Sequence, residues 1–362
     1  MSIPLIKLKK FSEYKNLRVL VTGSTGFKGA WLCLWLKLLG AKVFGVSLPA
    51  SKEDLLYKTL NLSKRISQTN FNINNFGKLN SLVKKINPDI IFHLAAQSVV
   101  SIGYYNPLET FSSNIIGSAN ILETTRLNKI KALVYVTSDK CYLNKEQKKS
   151  FKETDELGGF DNYSSSKAAA EIIFHSYFNS YFKQQSKLHI ASVRAGNVIG
   201  GGDFKENRII PDIVKSIINN SNLIIRNPQS YRPWQHVLDP LAGYLKLGIL
   251  LFDKKIKNQT FPSWNFGPSE RKVEVKKLTK DFLKIWGIRK KIILNKQKPF
   301  HESNYLSVNT SKARKELKWK PSLNFNDSLA LTVQWYKDLL LKKDMVKKTS
   351  EQIDIFQQKL NI

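Results

Sequence analysis

The chain has 362 residues, 42% of them hydrophobic, which is enough for one large or two modest domains with an apolar core. Its formal net charge is +30, but the lysines are scattered along the whole length without a basic stripe, so specific nucleic-acid binding is not predicted. No apolar run reaches membrane-spanning length, and residues 1–10 lack a signal-peptide pattern. The two cysteines, Cys33 and Cys141, imply neither a disulfide framework nor a Cys-based zinc site. We therefore expect a cytoplasmic protein that binds no metal.

A strand-like run ends in a glycine-rich turn near the start of the chain. Leu17 to Thr22 is short, apolar and β-branched, and the turn after it carries Gly23, Gly26 and Gly29. Apolar residues at helical spacing follow. A strand, a glycine turn and a helix N-terminus together predict a dinucleotide pyrophosphate site, because the phosphates can approach the backbone and the helix end favours their charge. A purely structural turn is the alternative.

The second predicted strand, Lys42 to Ser47, ends without an acidic residue. Such a residue usually binds the ribose hydroxyls of NAD. Ser47 and Lys52 are the nearby polar residues, and they suit either a 2′-phosphate or plain surface. The choice between NAD and NADP therefore stays open at this point.

Strand-like segments at 90–94, 132–136 and 190–194 alternate with helical segments, among them 114–127 and 164–181. This alternation predicts an α/β fold with a Rossmann-like, doubly wound parallel sheet. We expect residues 1–195 to form an NAD(P)-binding domain, with part of 230–266 completing its sheet. Residues 196–362 are expected to form mainly a smaller C-terminal mixed α/β substrate-binding domain and C-terminal helices.

Two groups of polar residues are candidates for catalysis. Ser138, Asp139 and Lys140 follow the strand that ends at residue 136, where ligands bind in such sheets. Tyr163 and Lys167 lie four residues apart on a predicted helix and share one face. The Lys167 ammonium is expected to lower the pKa of the Tyr163 phenol, which makes it a base near neutral pH. Such a pair alone is common by chance.

These motifs resemble those of the extended short-chain dehydrogenase/reductases that act on nucleotide sugars. The glycine turn, Asn114, Ser138, Tyr163 and Lys167 match this family as a whole. Longer strings are similar to its CDP-glucose 4,6-dehydratase branch, and the likeness runs from about residue 15 to 340. The strings lie at 25–29, 93–97, 137–142, 194–203, 232–237 and 264–268.

The resemblance implies a reaction on CDP-glucose. In it, Tyr163 removes the proton of the C4 hydroxyl while hydride passes from C4 to NAD, Lys167 supports the tyrosine, and Ser138 hydrogen-bonds the C4 oxygen. Asp139 donates a proton to the departing C6 hydroxyl. Lys140, which stands where relatives acting on dTDP-glucose or GDP-mannose usually carry Glu, is the candidate base for C5. Hydride then returns to C6.

The resemblance also implies the binding residues. Those for the cofactor are Gly23, Thr25, Gly26, Phe27, Gly29, Asn72, Ala95, Ala96, Tyr163 and Lys167. Those for the nucleotide sugar are Gln97, Asn197, Arg208 and Arg232. The two arginines suit phosphate through their fork of donors, although surface charge is the alternative. A homodimer or homotetramer is expected.

Two other functions stay open at this point. An epimerase or reductase on the same fold would use Tyr163 and Lys167 but would need neither Asp139 nor Lys140. A non-catalytic protein that binds NAD or nucleic acid would need no intact set of Ser138, Tyr163 and Lys167.

Overall fold

The computed structural model describes residues 10–256, 261–269, 273–294 and 303–360. The strands in this part of the chain are β1 (Arg18–Thr22), β2 (Lys42–Ser47), β3 (Ser67–Asn70), β4 (Ile90–His93), β5 (Ala132–Val136), β6 (His189–Ala195), β7 (Val198–Ile199), β8 (Leu223–Ile225), β9 (Tyr231–Arg232), β10 (Gln235–His236), β11 (Ser263–Phe266), β12 (Val273–Glu274) and β13 (Ile292–Leu294).

The α-helices are α1 (Phe27–Leu38), α2 (Leu55–Thr59), α3 (Phe76–Ile86), α4 (Val100–Tyr105), α5 (Pro107–Phe111), α6 (Gly117–Leu127), α7 (Asn162–Tyr177), α8 (Ile209–Ile218), α9 (Leu238–Phe252), α10 (Val275–Trp286), α11 (Ser311–Glu316), α12 (Phe325–Leu340) and α13 (Met345–Lys359). Two π-helical turns, Ser112–Ile116 and Phe178–Phe182, adjoin α6 and α7. None of the helices in the described ranges is long and apolar enough to cross a membrane.

A seven-stranded parallel sheet forms the centre of the molecule, in the order β11-β6-β5-β4-β1-β2-β3. Alternate residues of a strand point to opposite faces. Val19 and Val21 of β1 accordingly join the apolar cluster of α1 and α9, while Leu20 joins that of α3, α6 and α7. Because helices cover both faces, β4, β5 and β6 are buried along their whole length. The predicted doubly wound sheet is confirmed.

The C-terminal half supplies short strand pairs beside this sheet. The pairs β7–β10 and β8–β13 are parallel, and β9–β12 is antiparallel. With α8 and α10 they form the mixed α/β region expected from the sequence. Strand β11, which also comes from the C-terminal half, instead pairs with β6 at the edge of the main sheet. The division of the chain into domains at residue 195 stays a prediction.

The strand order places the functional site. The chain runs from β1 outward to β2 and β3, then crosses to β4 on the other side of β1. In open α/β sheets, ligands bind beyond the carboxyl ends of the strands at such a reversal. The glycine turn after β1 and the segments after β4 and β5 therefore meet at one edge.

Close packing of α9 on the sheet gives a test of the fold. A methyl group added at Gly243 would lie 2.2 Å from Cε1 of Phe266 in β11. We expect Gly243→Ala to lower the free energy of unfolding by about 1–3 kcal/mol through overpacking. Gly77→Ala in α3 is the control, since its methyl group would come no nearer than 3.8 Å to Asn75. That change should be neutral or stabilising by up to about 1 kcal/mol. Urea denaturation of both variants measures the difference, and equal stabilities would contradict the packing.

Candidate active site

One cleft of about 710 Å³ opens at the carboxyl edge of the sheet, and every site residue expected from the sequence lines it. Those residues are Gly23, Thr25, Gly26, Phe27, Gly29, Asn72, Ala95, Ala96, Gln97, Ser138, Asp139, Lys140, Tyr163, Lys167, Asn197, Arg208 and Arg232. The structure thus brings together residues spread over more than two hundred positions. Their individual roles stay predictions.

The glycine turn forms one end of the cleft. Gly23 has φ +72°, and a methyl group at Gly29 would lie 2.0 Å from the Gly23 carbonyl oxygen, so the turn itself requires both glycines. A methyl group at Gly26 would come no closer than 3.4 Å to that same oxygen. The surface beside Gly26 is therefore open at the N-terminus of α1. An open backbone surface at a helix N-terminus fits a pyrophosphate.

Polar side chains line the part of the cleft beyond this turn, and the lining also includes the carboxylate of Asp54. Ser47 lines the cleft at the end of β2 and accepts a hydrogen bond from Nε2 of Gln68 at 3.2 Å. Asn72 lines it too, and its Oδ1 accepts from the backbone N–H of Asn74 at 2.9 Å. Lys52, the residue considered for a 2′-phosphate, lies outside the lining. This end offers hydroxyl and amide groups to a ribose.

A short 3₁₀ turn after β5 holds Asp139 in the cleft. The turn Asp139–Cys141 is capped by Ser138, whose Oγ accepts from the Lys140 N–H at 3.3 Å and donates to Oδ1 of Asp139 at 3.1 Å. Asp139 is 2% exposed, and its Oδ2 has no hydrogen-bond partner among the described residues. Burial raises the pKa of Asp139, against the opposing effect of Lys140. A protonated Asp139 is a proton donor.

Tyr163 and Lys167 lie on the first turns of α7, which Asp161 caps by accepting the Ser164 N–H at 2.9 Å. Both side chains are buried. Burial raises the pKa of Tyr163 to about 12, although a hydrogen bond with Ser138 opposes this. On balance the pKa of Tyr163 is therefore raised in the free protein, because loss of solvation outweighs the nearby charges. The role of Lys167 in lowering it stays a prediction. Burial in turn lowers the pKa of Lys167 to about 8.

Lys28 is a cleft residue that the sequence reasoning did not assign. It lies in the first turn of α1 and is half-buried, and burial lowers its pKa to about 8. Its charge helps to lower the pKa of Lys167, whereas Asp139 acts on Lys28 in the opposite direction. A cation within the glycine turn, directly before Gly29, was the signal, since this segment is predicted to face the phosphates.

Asn114 fastens the loop after β4 to the helix that carries Tyr163. Its Oδ1 accepts the Gln97 N–H at 2.8 Å, and its Nδ2 donates to the Gln97 carbonyl at 3.0 Å and to Oγ of Ser166 at 2.8 Å. The Gln97 side chain in turn donates to Oγ1 of Thr110 at 2.9 Å. Gln97 therefore lines the cleft, and its side-chain amide already forms a hydrogen bond that holds this loop in place.

The predicted substrate arginines lie near the catalytic groups. Arg208 pairs with Asp203 at 2.9 Å and donates to Oγ of Ser98 at 2.9 Å. Arg232 is 5% exposed, and its charge counteracts the raised pKa of Asp139. Asn197 reaches the cleft from a left-handed turn, φ +41°, between β6 and β7.

A buried ion pair that sequence reasoning missed lies beneath these groups. Nη2 of Arg194 in β6 is 2.7 Å from Oε2 of Glu171, and both side chains are 0% exposed. Glu171 also accepts from Oγ1 of Thr137, the residue before Ser138. Arg194 also donates to the Tyr142 hydroxyl at 2.9 Å. An arginine within an apolar strand was the available signal, since such a charge requires a buried partner.

Comparison with known proteins agrees with this geometry. The family model described as GDP-mannose 4,6 dehydratase matches residues 20–332. The chain is 40% identical over 339 residues to CDP-glucose 4,6-dehydratase of Salmonella typhimurium (strain LT2), an alignment covering 92% of this chain and 94% of that one. It is 26% identical to dTDP-D-glucose 4,6-dehydratase of Dictyostelium discoideum, over 89% and 82% of the two chains.

A solved structure shares the fold. The dTDP-glucose 4,6-dehydratase of Streptomyces venezuelae, solved with bound NAD, superposes with a TM-score of 0.75 at 21% identity, over 91% of this chain and all of that one. The sheet and cleft define an extended short-chain dehydrogenase/reductase. Within this class, the chain belongs to the GDP-mannose 4,6 dehydratase family.

The ion pair between Arg194 and Glu171 gives the second test. Arg194→Met leaves a buried carboxylate without its partner, and we expect a loss of about 3–5 kcal/mol in the free energy of unfolding. The double variant with Glu171→Gln should lose less than the two single variants combined. Glu123→Gln is the control, because it breaks a partly exposed pair with Arg126 and should cost at most about 1 kcal/mol. Urea denaturation measures both variants. If Arg194→Met is no less stable than Glu123→Gln, the stability of the fold does not depend on this ion pair.

Proposed function

We propose that this protein is a CDP-glucose 4,6-dehydratase, which converts CDP-glucose to CDP-4-keto-6-deoxyglucose and water. One observation carries the proposal: the turn with Ser138, Asp139 and Lys140 and the helix with Tyr163 and Lys167 line the same cleft. Oxidation and reduction at C4 require only the helix pair and Ser138. A buried carboxyl and an amine beside them add the acid and base that an elimination needs.

The cofactor of the proposed reaction is NAD. The turn from Gly23 to Gly29 would bind its pyrophosphate, and Ser47 and Asn72 would lie towards its adenosine end. The NAD bound by the solved Streptomyces venezuelae relative supports NAD over NADP. When bound, NAD⁺ supplies a hydride acceptor beside C4 and a positive charge near Tyr163.

The first step falls to Tyr163, Ser138 and Lys167. The Tyr163 phenolate takes the proton of the C4 hydroxyl as C4 is oxidised to the ketone. Ser138, already hydrogen-bonded to Tyr163, orients the C4 oxygen. Because burial holds the pKa of Tyr163 near 12, the phenolate needs the positive charges of Lys167 and the bound cofactor.

The elimination step falls to Asp139 and Lys140. A ketone at C4 acidifies the C5 proton, so a modest base suffices to remove it. Lys140 is that base in its neutral form. Asp139, whose pKa burial raises, donates a proton to the departing C6 hydroxyl, which leaves as water. The water lost therefore consists of the C6 hydroxyl and the proton from Asp139. Return of the hydride to C6 and of the proton held by Lys140 to C5 then completes the 4-keto-6-deoxy product. The proton that Tyr163 took from the C4 hydroxyl replaces the one lost by Asp139.

Substrate binding falls to the C-terminal part of the cleft. Arg208 and Arg232 would contact the diphosphate, since guanidinium groups pair with phosphate through two parallel donors. Asn197, held in its left-handed turn, would lie between the sugar and the phosphates. Gln97 would shape the sugar pocket through its loop.

Variants of the turn after β5 test this function. Asp139→Asn removes the acid but keeps the shape, and we expect the yield of 4-keto-6-deoxy product to fall about 100-fold or more. Tyr163→Phe should abolish turnover of every kind. Lys140→Ala should stop the C5 elimination. Product mass with CDP-glucose reports each outcome, and loss of one water at an unchanged rate in Asp139→Asn or Lys140→Ala would remove that residue from the mechanism.

We further propose that this protein is cytoplasmic. We also propose that it forms a dimer or tetramer in which a second copy of the chain covers α5 and α7. Leu108, Ile116 and Ile172 are 82%, 53% and 58% exposed on elements that pack against one another. An isologous dimer would bury these apolar side chains. We expect Ile172→Glu to convert a dimer or tetramer to smaller species in light scattering. Ile285→Glu, on α10, is the control, and an unchanged mass in Ile172→Glu would contradict this interface.

A further inference from the structure

The cleft lining extends beyond Arg208 onto α8 and β8, where it combines apolar side chains with the carboxylate of Asp212. Ile210, Ile224 and Val275 line the walls of the cleft there, and Ile224 remains 55% exposed. Asp212 and Arg226 are polar residues of the same lining. Apolar walls with a few placed polar groups are typical of sites that bind a flat heterocycle. The glycine turn lies at the cofactor end of the cleft, so this pocket is left for the nucleotide base.

The Asp212 carboxylate is held in place by its neighbours. It lies in the first turn of α8 and accepts a hydrogen bond from the backbone N–H of Asn207. Its Oδ2 lies 3.9 Å from Nη2 of Arg226. Arg226 also forms two hydrogen bonds with Asn207, donating to its Oδ1 at 2.6 Å and to its backbone carbonyl at 3.0 Å. Asp212 still keeps 33% of its side chain exposed.

We propose that Asp212 selects cytosine nucleotides by accepting a hydrogen bond from the 4-amino group of the base. The inference rests on the proposed function for the direction in which the nucleotide sugar lies. It goes beyond that function by assigning base choice to one side chain of this chain. Arg226 is a positioning residue here, because it holds the loop at Asn207 from which Asp212 receives its own hydrogen bond.

The chemistry of the bases explains the selection. Cytosine carries an amino donor at position 4, whereas uracil and thymine carry a carbonyl oxygen there. An ionised carboxylate only accepts hydrogen bonds, so it pairs with the amino group and repels the carbonyl. Burial raises the pKa of Asp212 to about 6, and the group is therefore ionised at pH 8. A carboxylate facing the carbonyl of uracil gains no hydrogen bond and is repelled, which makes this contact discriminating.

Binding of CDP and UDP tests the proposal without any turnover. Calorimetry at pH 8 compares the two nucleotides on the wild-type protein, on Asp212→Asn and on the control Glu206→Gln. Glu206 carries the same charge nearby but lies outside the cleft lining and pairs with Lys215. We expect the wild type to prefer CDP by about 10- to 100-fold. Asp212→Asn should reduce the preference for CDP over UDP at least about 10-fold, because an asparagine amide can also donate a hydrogen bond to the carbonyl of uracil. Glu206→Gln should keep the wild-type preference.

Two results would overturn the assignment. One is a wild-type protein that binds UDP as tightly as CDP. The other is an Asp212→Asn variant that keeps the wild-type preference while still binding NAD at the far end of the cleft, which shows that it is folded. A protein that prefers CDP through Asp212 but does not dehydrate CDP-glucose would instead refute the proposed function and leave the base contact standing.

Discussion

The active-site geometry depends on the buried pair of Arg194 and Glu171. Glu171 lies one helical turn beyond Lys167 on α7, and it accepts a hydrogen bond from Thr137, the residue that precedes Ser138. Arg194 holds this carboxylate from β6. One ion pair therefore fixes α7 relative to the ends of β5 and β6. Its hydrogen bonds offset the desolvation of two charges, which would otherwise make such a pair costly.

Above this pair, the cleft concentrates ionisable groups where little water remains. The charge of Lys28 affects the pKa of both Lys167 and Asp139, and burial is the largest cause of each pKa shift. In a site of this kind the protonation state responds strongly to any charged ligand that enters. A cluster of cations beside one carboxyl suits a substrate and a cofactor that both carry diphosphates. The protein's formal charge of +30 says little about this local arrangement, since the lysines of the described residues that line the cleft are Lys28, Lys140, Lys167 and Lys205.

The sequence predicted the sheet and the location of the site because both follow from local patterns. Alternating strands and helices dictate a parallel sheet, and a turn such as Gly23 to Gly29 has few structural solutions. The pKa of Tyr163 could not be predicted, because four-residue spacing describes neighbours on a helix and says nothing about solvation. The partnership of Glu171 with Arg194 also depends on which strands become neighbours. Arg194 within an apolar strand indicated a buried partner without indicating which one.

The central claim is that the redox step is transient and serves to expel water. Wild-type protein with CDP-glucose carrying deuterium at C4 tests this claim most directly, by locating the label in the product. The account predicts a product lighter by one water, with the deuterium transferred to C6. Deuterium that remains at C4 of an unchanged or epimerised hexose, or that leaves the sugar altogether, would contradict it.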